Sequence, residues 1–99
     1  MNSGAALVER ARVRFEKDKL FRARVESAYG ERALQHGFMF YSTGDSALLF
    51  PLFAFALLEK GRVSKEDIRQ FVAAKFEHLE SFQAVLAKPL RELLAAIEQ

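Results

Sequence analysis

The side chains able to do acid–base or metal chemistry are sparse and scattered in this 99-residue chain. Its two histidines, His36 and His78, stand 42 positions apart, and neither has a second histidine four residues away or a Glu-x-x-His partner, so no helical metal site is spelled out. The carboxylates Glu59, Glu66, Asp67, Glu77 and Glu80 alternate with lysines and arginines as on a solvated helix face rather than forming a catalytic pair. Ser42, Thr43 and Ser46 surround Gly44-Asp45 without the Gly-x-Ser-x-Gly elbow of a serine hydrolase, and no phosphate-binding glycine loop is present. A turn of small polar residues ahead of an apolar helix can hold an anion, but capping that helix accounts for the same residues. With no cysteine there is no thiol nucleophile, thiolate metal site or disulfide framework. The expectation is a protein without enzymatic activity, cofactor or metal.

Charge gives a second kind of chemistry. Formal net charge is only +2, yet residues 9–24 hold seven cations, Arg10, Arg12, Arg14, Lys17, Lys19, Arg22 and Arg24, against three acids. These seven are the candidate phosphate contacts of a nucleic-acid-binding protein. The competing expectation is a solvated helix whose cations pair with Glu9, Glu16, Asp18 and Glu26.

The elements that must position these groups read as helices throughout. Ala, Leu, Glu, Arg, Lys and Gln fill the segments between turn signals, and no alternating strand pattern of useful length occurs. Ser3 can cap a first helix with Val8, Ala11 and Phe15 on one face. From Leu20 the apolar set, continuing through Phe21, Val25, Ala28 and Tyr29, is rotated by about 100°. Either Asp18 caps a new helix or one long helix presents two faces, and Gly30 is the natural stop in both cases. A short helix should run to Gly37, followed by a turn at 42–46, where Asp45 or Ser46 caps the next element.

That next element is twelve consecutive apolar residues, 47–58, too short for a bilayer that needs about 20 and apolar all round, so protein must cover it on most sides. Pro51 belongs in its first turn and Gly61 ends it. Ser64 and Asp67 form a capping-box variant opening a stripe of Ile68, Val72, Phe76, Leu79, Phe82, Leu86, Leu90, Leu93 and Ile97. The stripe holds its phase for about eight turns, which predicts one long C-terminal amphipathic helix kinked near Pro89.

The corner at 57–68, Leu57-Leu58-Glu59-Lys60-Gly61-Arg62-Val63-Ser64 with Glu66-Asp67-Ile68, resembles the turn between the first two helices of winged-helix and helix-turn-helix regulators. Such a protein then turns within about ten residues into a polar recognition helix, whereas 71–86 here stays amphipathic without glycine, asparagine or proline.

The expected architecture is therefore all-α, one compact domain over residues 1–99 with four to five helices around a central apolar one. Half the residues are apolar, prolines number two and glycines five, and Met1-Asn2-Ser3-Gly4 lacks the basic and apolar stretches of an export signal, so a cytoplasmic globular protein without a membrane span is expected. Ten phenylalanines, a fully apolar helix, the stripe over 68–97 and two apolar faces before Tyr29 exceed what four or five short helices ordinarily hide from one another. The leading functional expectation is a helical interaction or regulatory module acting as a homo-oligomer, most simply a dimer, through Phe53, Leu57, Phe76, Leu79, Phe82 and Leu86. The alternatives are nucleic-acid binding by the basic segment, and a carrier holding an apolar ligand among Phe38, Phe40, Phe53 and Phe55.

Overall fold

A computed structural model describes residues 3–30, 32–41, 48–78 and 85–98. Every regular element among them is a helix: α1 (Ser3–Lys17), α2 (Lys19–Ser27), α3 (Arg32–Tyr41), α4 (Leu49–Glu59), α5 (Lys65–Glu77) and α6 (Ala87–Ile97). The radius of gyration, 12.3 Å, is close to the ~13 Å of a compact domain of this length.

The core is built around α4. Eight successive side chains, residues 50–57, are buried in it, which a helix achieves only when neighbours stand on most sides. Those neighbours are α1, α2, α3 and α6. Pro51 occupies the first turn, where its missing N–H would have had no acceptor in any case. The helix stops in a Schellman arrangement: Gly61 takes a φ of +70°, its N–H donates to Leu58 O at 3.1 Å, and the Arg62 N–H donates to Leu57 O at 2.8 Å.

The break between α1 and α2 is the work of Asp18. Its backbone is extended (φ −106°, ψ 103°) and its Oδ1 accepts the Phe21 N–H at 3.0 Å. The kink turns the buried face from Leu7 and Ala11 to Phe21 and Val25, so both helices lie against α4. Of the two arrangements the sequence allowed, the capped second helix is the one formed. Gly30 is not its terminator, since α2 already ends at Ser27 with Ala28 extended. Ser64 and Asp67 close a reciprocal capping box at α5, each side chain bonded to the other's backbone N–H at 3.0 Å.

Three expectations are corrected. There are six helices among the described residues rather than four to five. The single helix over 68–97 is instead α5 and α6, which pack against each other, and Pro89 sits in the first turn of α6 instead of kinking a longer helix. Their apolar stripes stay in phase because each faces the same core, not because the backbone is continuous. Gly37 does not end α3 but lies inside it, buried: a Cβ there would overlap Cδ2 and Cε2 of Phe53, so the missing side chain lets α3 settle onto α4. The expected caps Asp45 and Ser46 lie outside the described residues. The Ser3 side chain does too.

Candidate functional site

Five of the phenylalanines, with Tyr41, make two aromatic clusters. Phe38 meets Phe50 edge-on at 5.1 Å, and both contact Phe71. Phe53 meets Phe21 edge-on at 5.7 Å and lies 5.3 Å from Tyr41. Such pairs prefer these tilted and edge-to-face geometries because the positive ring edge meets the negative face. Of the quartet expected to line a ligand cavity, Phe38 and Phe53 fall in different clusters and Phe55 is buried, while Phe40 lies on the surface beneath the Arg24 guanidinium at 4.5 Å.

The interface residues chosen from sequence are drawn inward as well. Phe53 is 2% exposed, Leu57 fully buried and Leu86 buried, all covered by this chain's own helices, and Phe76 is half-buried against the same core. They fill the interior that the surplus argument had assigned to a partner. Leu79 and Phe82 lie outside the described residues.

Five of the seven cations of the basic segment are engaged within the molecule. Arg12 forks onto Glu59 of α4 through Nε (3.0 Å) and Nη2 (2.8 Å), and this hydrogen bond holds the guanidinium pKa above its ordinary value. Arg10 reaches Glu92 at 3.5 Å, Arg14 meets Asp18 at 3.1 Å, and Arg22 stands 4.0 Å from Glu26. Arg24 donates to the Tyr41 hydroxyl at 3.0 Å. Lys17 and Lys19 make no ion pair among the described residues. Two of these pairs tie α1 to α4 and α6, so the basic segment serves in part to seat α1 on the core.

Asp18 is held below the ordinary aspartate pKa, first by the Phe21 N–H and then by Arg14. Of the acids weighed for catalysis, Glu59 accepts from Arg12, Glu66 accepts from Arg69 and Gln70, and Asp67 belongs to the capping box, while Glu80 lies outside the described residues. His36 and His78 are exposed, and no three metal-ligating side chains converge among the described residues.

One surface feature stands apart. A groove of ≈ 830 Å³ along α1 and the start of α2 is lined by Val13, Leu20 and Leu52 of α4 together with the charged Glu9, Arg10, Arg14, Lys17, Asp18 and Lys19. Val13 is 39% and Leu20 60% exposed, and Leu48, one helical turn before Leu52, is 63% exposed. The sequence carried a signal for it. Val13 is out of phase with Val8, Ala11 and Phe15, whereas Leu20, counted in the sequence with the apolar set of Phe21 and Val25, is exposed instead because it stands about 100° from Phe21. Among the described residues no helix is long and apolar enough to cross a membrane. No family model, curated protein or solved structure matches the chain.

Proposed function

We propose that the chain is a small, non-enzymatic helical interaction module that works by self-association, most simply as a dimer. The observation supporting this is the groove on α1, α2 and α4: Val13 and Leu20 leave apolar side chains in water beside Leu52, among charged lining residues. Apolar side chains gathered beside a charged rim are the usual mark of a contact surface. Asp18, a lining acid with a lowered pKa, is engaged as the α2 cap by the Phe21 N–H and by Arg14. Because a two-fold dimer uses one patch twice, a small exposed set suffices to create an interface.

Light scattering on a sizing column from about 1 to 100 µM tests the reading. A mass near twice 11.3 kDa at the upper concentrations is expected. Leu20→Glu, at an exposed position, should return the monomer without lowering the melting temperature. A wild-type monomer at the highest concentration would overturn the proposal.

A further inference from the structure

The groove on α1 and α2 is unevenly charged along its length. Four cations, Arg10, Arg14, Lys17 and Lys19, line it against two acids, Glu9 and Asp18. Asp18 is matched by Arg14 at 3.1 Å and by the Phe21 N–H at 3.0 Å, and Arg10 reaches Glu92 at 3.5 Å. Glu9, Lys17 and Lys19 make no ion pair among the described residues. At 1.5 Å per residue Glu9 and Lys17 stand about 12 Å apart along α1, with the exposed Val13 one turn from each. The unmatched acid is therefore at one end of the groove and both unmatched lysines are at the other. Ordinary helix electrostatics explains only one of those lysines. Lys17 lies in the last turn of α1, where a cation complements the negative end of the helix. Lys19 is the first residue of α2, at the positive end of a helix with no acid in its first turn, so its charge adds to that of the helix end.

We infer that the groove takes an amphipathic helix of a different protein, acidic in its first turn, laid antiparallel to α1 with its apolar stripe on Val13, Leu20 and Leu52. The partner's acids then meet Lys17 and Lys19, and basic residues in its last turn meet Glu9. Acids in the first turn and cations in the last are what a helix favours on its own account, so the charge order this groove demands is one that helices commonly carry. A helix of the same kind laid parallel to α1 would bring its acids to Glu9 and its cations to Lys17, which like-charge repulsion disfavours. Apolar anchors at three- and four-residue spacing are the usual way for a helix to occupy such a groove, and they would cover Val13 and Leu20, which the chain itself leaves in water. This partner is additional to a second copy of the chain and does not require one; where the groove serves self-association, the helix competes for it.

The test uses the full chain and a fluorescein-labelled synthetic helix locked by a side-chain bridge, with leucines at three- and four-residue spacing, glutamates in its first turn and lysines in its last. Fluorescence anisotropy should show binding with a dissociation constant below about 100 µM. The same peptide with its end charges exchanged should bind about tenfold more weakly. The triple variant Glu9→Lys, Lys17→Glu, Lys19→Glu changes only exposed positions and should reverse that preference, which a merely destabilised protein would not do. Leu20→Glu should weaken binding of the first peptide without lowering the melting temperature. Equal affinity of the wild type for the two peptides, or no binding at about 100 µM, would overturn the inference. So would equally tight binding of a glutamate-rich peptide without leucines, which would mark the lysines as a contact for any polyanion. A chain that stays monomeric yet binds the first peptide selectively would end the self-association reading and support this one.

Discussion

Gly37→Ala sets two well-understood effects against each other. In an open helix interior the change gains about 0.5–1 kcal/mol, because glycine loses more backbone freedom on folding than alanine. Here the added methyl would overlap two ring carbons of Phe53. That ring is 2% exposed and is held by Phe21 at 5.7 Å and Tyr41 at 5.3 Å, so it has little room to turn aside. Forcing a methyl into a packed core costs about 1–3 kcal/mol, which exceeds the propensity gain. The net expectation is a loss of about 1–2 kcal/mol, or a melting temperature lower by roughly 5–15 °C for a chain of this size. Thermal unfolding followed by circular dichroism reads this directly. A double-mutant cycle isolates the cause: in a Phe53→Leu background, whose own cost comes from the lost ring, Gly37→Ala should be nearly neutral or stabilising. A Gly37→Ala protein that melts higher than wild type would refute the close approach of α3 to α4.

Three further outcomes follow from the helix ends and the basic segment. Ser64→Ala removes one half of the capping box and should cost about 1 kcal/mol in denaturant unfolding; an unchanged midpoint would mean that α5 is held at some other point. Asp18 has a depressed pKa in the folded chain, so its contribution is present above the unfolded aspartate value and is lost as pH falls through the folded one. The advantage of wild type over Asp18→Asn in melting experiments should therefore shrink as pH falls below about 4, and a difference independent of pH would refute the assigned hydrogen bonds. Because Arg10, Arg12, Arg14, Arg22 and Arg24 are engaged internally, micromolar protein should not shift a labelled duplex at about 50 mM salt; a salt-sensitive shift abolished by Lys17→Glu and Lys19→Glu would revive a nucleic-acid role.

The parts of the fold legible in the sequence were those fixed by neighbours in the chain. Asp18 and Ser64 act within three residues of themselves, and Gly61 closes a turn whose two hydrogen bonds span at most five. The burial of α4 was legible too, since a run of apolar residues too short for a bilayer has nowhere else to go. Gly37 was misread because its role is set by Phe53, sixteen positions away. A glycine required by a partner helix looks, along the chain, like a glycine that ends its own. The stripe over 68–97 misled for a related reason: periodicity records which way side chains face, and two helices lying on one core face it alike.

The same logic explains why several residues expected at an oligomer interface lie in the interior of this chain. Phe53, Leu57 and Leu86 are buried within the chain, the first two on α4, which α1, α2, α3 and α6 enclose. In a small bundle, a residue that matches the dominant stripe is satisfied by the fold. Val13 on α1 and Leu20 on α2 stay exposed, and under the proposed self-association they are the residues left for a second molecule. Phase relative to the core, rather than total apolar content, is what separates the interior of this chain from its candidate contact surface.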